Sequence, residues 1–276
     1  MSQVINTNIL SMTAQANLSN TGSALSQAVQ RLSSGLRINS AMDDPAGLAI
    51  SMRMGSQASG MQVAIRNAND AISLSQVADG TLGTVGNMLQ QMRDLAVQAS
   101  NQTNGSSDLS NLNTEFTSLA SEINRELTST QFNGLNILGS NAGTGVYQVG
   151  ANAGDTISVT TTNMASNAAV TAVTTTAATI LTNASASAMI TTIDSALSTV
   201  NTERAKYGAT EAEFQGVVSN LQIGVTNQSA AESRIRDADY AAETSALTRA
   251  QILQQAGTAM LAQANALPQS VLSLLK

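Results

Sequence analysis

The strongest constraint on the fold is a repeat of apolar residues at alternating steps of four and three near both ends of the chain. This spacing keeps side chains on one helix face and is typical of coiled coils. The N-terminal seam is apolar except for one glycine and comprises Leu18, Gly22, Leu25, Val29, Leu32 and Leu36. The C-terminal seam continues for four heptads through Ala246, Ala250, Leu253, Gly257, Met260, Ala264, Leu267, Val271 and Leu274. We expect a long helix at each end.

Further helices are predicted between these ends. One begins at Pro45 with Asp44 as its N-cap. Its main seam is Ala78, Leu82, Val85, Leu89, Met92, Ala96 and Ala99, and a second, slightly out of phase, is Ile65, Ala68 and Ile72. A shorter helix carries Leu109, Leu112, Phe116, Leu119 and Ile123 on one face. A returning helix carries Ile193, Leu197, Val200, Tyr207, Phe214, Val218, Leu221 and Val225, with Arg204 and Glu211 as polar members.

The middle of the chain has a different pattern. Alternating residues at 146–149 and 156–159 flank a Gly/Asn-rich stretch at 150–154, which predicts a β-hairpin. Residues 160–182 form a Thr/Ala tract of low charge, which we expect to be exposed and to bury little surface. The fold class is therefore mainly α: long antiparallel coiled-coil-like helices forming a rod, with a small β-hairpin region. Such a rod exposes its apolar seams unless it packs against copies of itself.

Composition excludes most catalytic chemistry. The 276 residues include no His and no Cys, which removes the commonest general base, thiol nucleophiles and Cys-based metal sites. A net charge of −6 with only 12 cationic residues argues against nucleic-acid binding. Aromatic residues make up 2%, which leaves few platforms for bases or sugars. We therefore expect no catalytic residue, no cofactor and no metal.

Two charged groups invite a functional interpretation. Asp43 and Asp44 fit a helix cap better than a catalytic pair. Acidic and basic residues alternate over 232–249, which is typical of a paired, solvated surface; the alternative is a contact with another subunit or a chaperone. Residues 1–10 carry no positively charged side chain, so we expect no Sec-type signal, and no apolar run approaches the ~18 residues of a membrane span.

Several strings resemble bacterial flagellins. They are MSQVINTN at residues 1–8, RLSSGLRINSA at 31–41, DDPAG at 43–47, QFNG at 131–134, QVGAN at 148–152, RAQILQQAG at 249–257, LAQAN at 261–265 and VLSLL at 271–275. The resemblance covers residues 1–160 and 190–276. It implies a structural subunit that self-assembles into the helical flagellar filament used for motility, and not an enzyme.

The resemblance also implies a domain organisation. Residues 1–40 and 235–276 would form the inner tube of the filament. Residues 41–140 and 189–234 would form the rod domain of its outer layer, with the hairpin and the variable tract at 141–188. The implied partners are copies of the chain, other flagellins, an export chaperone, and the cap and junction proteins, with no nucleic acid and no membrane insertion. The implied location is extracellular, after flagellar type III export without a cleaved signal.

An innate immune receptor patch is carried over from the family. It maps onto Gln90, Gln91, Arg93, Asp94 and Leu95, which surround Met92, with Glu115 on the neighbouring helix. Family members often have arginine at the position of Gln91, so this chain lacks a charged donor there. The alternative is that these residues are packing surface between protofilaments.

Assembly is predicted to depend on the seams. The assembly residues are Leu18, Leu25, Val29, Leu32, Leu36, Leu253, Met260, Leu267, Val271 and Leu274. The paired N-terminal segment of the same chain cannot bury the C-terminal seam alone, so we expect the terminal ~40 residues to be largely disordered in the monomer and to fold on association. Two other functions remain open: a hook–filament junction protein, and a surface adhesin or glycan-binding protein on a flagellin-like scaffold.

Overall fold

The fold is mainly α, as the sequence predicts, and contains two small antiparallel hairpins. The computed structural model describes residues 7–273, with side chains as far as residue 267. The elements in chain order are α1 (Ile9–Ser34), α2 (Pro45–Ala99), α3 (Ser106–Ser129), β1 (Gln131–Phe132), β2 (Leu135–Asn136), β3 (Thr144–Gln148), β4 (Thr156–Thr160), α4 (Ala168–Thr174), α5 (Asn183–Arg236) and α6 (Tyr240–Ser273). The chain divides into a first unit, Met1–Ser56 with Asn227–Lys276, and a second unit, Gln57–Thr226.

In the first unit, α1 and α6 pair as an antiparallel hairpin. At one end the Asn8 side-chain amide donates to the Ala264 carbonyl over 2.8 Å. At the other end the Arg31 guanidinium lies 3.0 Å from the Glu243 carboxylate. Between them Leu18 packs against Gly257, where an added Cβ would lie 3.2 Å from the leucine methyl group. This close approach requires small residues at the contact.

The joint between the long helices, residues 35–44 and 237–239, is held by backbone hydrogen bonds. Gly35 ends α1 with a φ of 71°, a left-handed conformation that favours glycine, and its N–H donates to the Arg31 carbonyl. The Arg37 N–H donates to the Arg236 carbonyl over 2.7 Å, and the Ala238 N–H donates to the Gly35 carbonyl over 2.9 Å. Residues 35–38 and 236–238 are therefore paired side by side, with an antiparallel bridge between Leu36 and Asp237.

Of the acidic pair in the joint, Asp44 has the predicted capping role, while Asp43 holds the turn that precedes it. The Gly47 N–H donates to the Asp44 carboxylate over 2.9 Å, so Asp44 caps α2 just before Pro45. Backbone N–H groups of Ser40 and then Asn39 donate to Asp43 and hold the pKa of its carboxyl below the usual value. These contacts confirm the structural interpretation of the pair.

In the second unit, α2 and α5 lie antiparallel. The Asp79–Arg204 and Arg93–Asp194 ion pairs join them at 2.8 Å and 2.7 Å. Every member of the main α2 seam from Ala78 to Ala99 is fully buried, which confirms that prediction. The upstream seam is confirmed at Ala68 but is wrong by one residue at Ile65 and Ile72, which are partly buried beside the buried Ala64 and Ala71.

In the α5 seam, the predicted polar member Arg204 is replaced at the inward position by its neighbour Glu203. Arg204 lies at the edge, where Asp79 pairs with it, and Glu203 takes the inward position. Its carboxylate accepts from Lys206 at 2.7 Å and from the Thr162 hydroxyl at 3.0 Å, so the buried charge is paired. Phe116 and Ile123 of α3 are fully buried in the same core, as predicted.

The hairpins organise the segment between α3 and α5. The predicted hairpin is confirmed as β3 and β4, with Tyr147 opposite Ile157. The Tyr147 ring meets Phe214 of α5 edge to face at 5.9 Å. The shorter β1–β2 hairpin was not predicted; Asn133 and Gly134 form its turn with φ values of 50° and 78°.

The expectation that residues 160–182 bury little surface is wrong. Asn167 caps α4 by accepting from the Ala169 N–H, and this short helix buries Val170 and Val173. Met164 and Ile180 are also fully buried. A few aliphatic side chains spaced among the threonines are enough to attach the tract to the core, even though its low charge and repetitive composition resemble an exposed linker.

Candidate assembly surface

The hairpin of α1 and α6 buries small residues and exposes large ones. Ala28, Ala250 and Ala264 are the side chains buried between or beside the two helices. Large apolar side chains of the same two helices stay largely exposed, and we call them together the outward surface. Its members, between 47% and 68% exposed, are Ile9, Leu10, Met12 and Val29 of α1 and Ile252, Leu253, Met260 and Leu267 of α6. Two helices alone therefore leave an extensive apolar surface in contact with water.

The structure separates the predicted assembly residues into two groups. One group is half-buried and comprises Leu18, Leu25, Leu32 and Leu36. The first three lie along the face of α1 that meets α6, and Leu36 follows the helix. Val29, Leu253, Met260 and Leu267 belong to the outward surface. The side chain of Val271 and all of Leu274 lie outside the described residues. The prediction therefore includes positions that hold the hairpin together as well as positions open to another molecule.

Sequence reasoning missed several members of the outward surface. Ile9, Leu10 and Met12 precede the N-terminal seam, and Ile252 sits next to Leu253 outside the heptad pattern. A strict heptad search finds one contact face per helix, whereas these residues belong to a second face. A search for apolar residues that remain after the first seam is assigned would have found Ile252.

The outward surface offers packing rather than chemistry. Ser245, Thr248, Arg249, Ile252 and Leu253 line a shallow depression on α6. No group of three or more His, Cys, Asp or Glu residues among those described could hold a metal ion. No helix of the described part of the chain is long and apolar enough to cross a membrane.

Three of the charged residues near the joint are in ion pairs, and two others accept hydrogen bonds. Glu243 contacts Arg31, and Arg236 lies 3.7 Å from Glu232. The Ser233 hydroxyl donates to the Asp237 carboxylate over 2.6 Å. Asp239 accepts from the Ala241 N–H over 2.9 Å at the start of α6. These interactions fit the predicted paired surface.

The residues of the candidate receptor patch lie in the second unit. Gln90, Gln91 and Asp94 of α2 and Glu115 of α3 are exposed. Leu95 is partly buried against the core, and Met92, which they surround, is fully buried. The Arg93 guanidinium is held by Asp194 of α5, which raises the pKa of the arginine.

Comparisons with known proteins agree at both ends of the chain. Residues 5–142 match the family model described as the bacterial flagellin N-terminal helical region, and residues 190–275 match the C-terminal helical region. The flagellin of Halalkalibacterium halodurans is 45% identical over 273 residues, covering 99% of this chain and 100% of the relative. The flagellin of Xenorhabdus nematophila is 40% identical over 313 residues and covers both chains completely.

A solved structure extends the likeness to the fold. The crystal structure of Bacillus cereus flagellin superposes with a TM-score of 0.50 at 32% identity. The superposition covers 60% of this chain and 94% of that one. Sequence and backbone therefore point to the same family.

Proposed function

This chain belongs to the bacterial flagellin family and is a structural subunit of the extracellular flagellar filament, not an enzyme, and from that premise we propose that it assembles by burying the outward surface of the α1–α6 hairpin against neighbouring subunits. In this proposal residues 1–40 and 235–276 build the inner tube, and residues 41–234 build the layer around it. Leu18, Leu25, Leu32 and Leu36 hold the hairpin, while Val29, Leu253 and Met260 make contacts between subunits.

The observation that carries this proposal is the exposure of Leu253 and Met260. Both residues continue the heptad spacing, yet they are 52% and 64% exposed although α6 is already paired with α1. Fully burying a side chain of this size contributes ~1.5–3 kcal/mol, so covering the exposed half contributes about 1 kcal/mol for each. Repeated over the outward surface of every subunit, such contacts favour a polymer.

We further propose that folding of the terminal helices is coupled to assembly. Inside one subunit each helix has only one covered face, where the fully buried residues are alanines and the leucines Leu18, Leu25 and Leu32 are only half-buried. Neighbouring subunits would supply the rest of the burial, so association would stabilise the helices.

Circular dichroism tests this coupling. Since α1 and α6 hold 26 and 34 of the helical residues, the signal at 222 nm should rise by roughly 40% on polymerisation if both are disordered in the monomer. A truncated chain of residues 57–226, the second unit, serves as the control and should show no change under the same conditions. An equal signal before and after polymerisation of the full chain would refute coupled folding.

Transport and accessory partners are also part of the proposal. The subunit would leave the cell through the flagellar type III route without a cleaved signal, held beforehand by an export chaperone, and would meet the cap and junction proteins and other flagellins at the filament. Membership of the flagellin family supports this route. Mass spectrometry of exported protein should give the mass of the uncleaved chain; a shortened N-terminus would contradict it.

Recognition by an innate immune receptor is proposed to be weak. Gln90, Gln91, Asp94 and Glu115 are accessible, but Arg93 is occupied by Asp194 and Gln91 carries no charge. Gln91→Arg should therefore raise receptor activation in a reporter assay, with Gln90→Arg as the neighbouring control. Equal activation by the native and Gln91→Arg proteins would contradict this assignment.

A further inference from the structure

Seven methionines of this chain lie at the two extremes of exposure, while Met54, Met61 and Met189 are intermediate. Met88, Met92 and Met164 are 9% exposed or less and lie in the core of the second unit. Four others are largely exposed, and all four lie in the first unit: Met12 at 61%, Met42 at 93%, Met52 at 64% and Met260 at 64%. Exposure of an apolar thioether is therefore concentrated in the unit that carries the outward surface.

Two of the exposed methionines lie at the same level of the hairpin. Met12 follows Ser11, whose hydroxyl donates to the Asn265 side chain over 2.8 Å, and precedes Leu18, which packs on Gly257. Met260 lies on α6 between those two contacts. Both methionines therefore lie in one stretch of the paired helices, bounded by the Ser11–Asn265 and Leu18–Gly257 contacts, and both are exposed there.

The composition leaves these thioethers as the principal targets of oxidation. Thiols, imidazoles and indoles are absent, since the sequence contains no Cys, His or Trp, while it contains 11 Met. A peroxide transfers one oxygen atom to the sulfur: the S–O bond forms, the O–O bond breaks, sulfur loses two electrons, and the peroxide leaves as water. The product is a sulfoxide, which is polar and chiral where the thioether was apolar.

We propose that Met12 and Met260 are oxidation sites that control whether a subunit can enter the filament. In the unassembled subunit both sulfurs are open to peroxide, and a sulfoxide at either position places a strong hydrogen-bond acceptor where assembly needs an apolar contact. Burying that acceptor without a donor is unfavourable. In the filament the neighbouring subunit covers both sulfurs and protects them. This inference rests on the proposed role of the outward surface in assembly.

Peroxide treatment of purified subunits tests the proposal. After treatment with hydrogen peroxide, peptide mass spectrometry should find sulfoxide at Met12 and Met260 but not at Met92 or Met164. The concentration needed for polymerisation, measured by sedimentation, should rise by about tenfold or more. Reduction with the two methionine sulfoxide reductases, one for each epimer, should restore assembly. In assembled filaments, the same treatment should leave Met12 and Met260 unoxidised.

A matched variant identifies the residues responsible. Met12→Leu combined with Met260→Leu preserves apolar volume and should polymerise after peroxide treatment as it does before. Met42→Leu combined with Met52→Leu should remain sensitive. The proposal is overturned if the Met12/Met260 variant loses assembly on oxidation, or if the oxidised native chain polymerises normally. If the oxidised native chain polymerises normally while Met260→Asp still blocks polymerisation, only the oxidation proposal fails. If Met260→Asp also polymerises, the assembly proposal fails as well.

Discussion

Replacing Met260 or Leu253 by aspartate is expected to abolish filament formation. Each side chain is at least half exposed in the single subunit, so the carboxylate remains hydrated there and the stability of the monomer should change by no more than about 0.5 kcal/mol. In the filament the same carboxylate would be buried without a partner, which costs several kcal/mol at every subunit contact. Sedimentation and electron microscopy should show soluble subunits in place of filaments.

Conservative variants at the same positions separate this effect from simple misfolding. Met260→Leu and Leu253→Met keep the apolar character and volume and should polymerise like the native chain. The near-ultraviolet dichroism of the aspartate variants should match that of the native monomer, since Tyr147, Tyr207 and all three phenylalanines lie in the second unit. Long filaments formed by both aspartate variants would show that the outward surface does not mediate assembly.

Phe116→Ala is expected to cause a large loss of stability in the second unit. The ring is fully buried in the core that α2, α3 and α5 share. Removing a buried phenylalanine side chain costs ~3–5 kcal/mol, because the transfer energy is lost and a cavity remains. Denaturant unfolding of the monomer, followed by near-ultraviolet dichroism, should show this decrease in the free energy of unfolding.

An exposed truncation in the same unit provides the comparison. Leu181 is 47% exposed, so Leu181→Ala should lower the free energy of unfolding by less than ~1 kcal/mol. The slope of the transition should stay the same in both variants if each changes stability alone. A loss below about 1 kcal/mol in Phe116→Ala would mean that this core is not the main source of stability in the second unit.

The sequence predicted the fold best where large aliphatic residues point inward. In α2 the seam from Leu82 to Met92 has the same positions in the structure as in the periodicity, because those side chains are both the most apolar and the most buried. Helix beginnings were also predictable, since Asp44 and Pro45 are local signals that do not depend on distant contacts.

Prediction was less successful where helices approach closely. Periodicity favoured Ile65 and Ile72 over Ala64 and Ala71, and it selected Val29 where Ala28 is the buried residue. A pattern search gives weight to large apolar side chains, whereas the contact between α1 and α6 requires small ones. The larger neighbours then face outward. For the candidate site this difference is informative, because Val29, which the periodicity selected in place of Ala28, is a residue that another subunit can cover.

Polar pairing was the second source of error. Arg204 and Glu203 are adjacent, and only the tertiary contact of Glu203 with Thr162 shows which one points inward. Likewise, nothing local distinguishes Val170 and Val173 from an exposed Thr/Ala tract, since their burial depends on the core beneath them. Such choices depend on contacts that are distant in sequence.

The small residues between α1 and α6 have a consequence for how the hairpin finds its alignment. Ala250, Gly257 and Ala264 are spaced by one heptad, so sliding α6 by seven residues, about 10.5 Å, would put one small residue in the place of another and change the apolar contact little. The slipped hairpin would set Arg31 opposite Ala250 in place of Glu243 and would break the bridge between Leu36 and Asp237. Alignment is thus selected by polar contacts at the ends of the hairpin. A subunit closed one heptad out of step would have all of α6 displaced by about two helical turns relative to α1, so the two helices could not both be in register with a growing lattice.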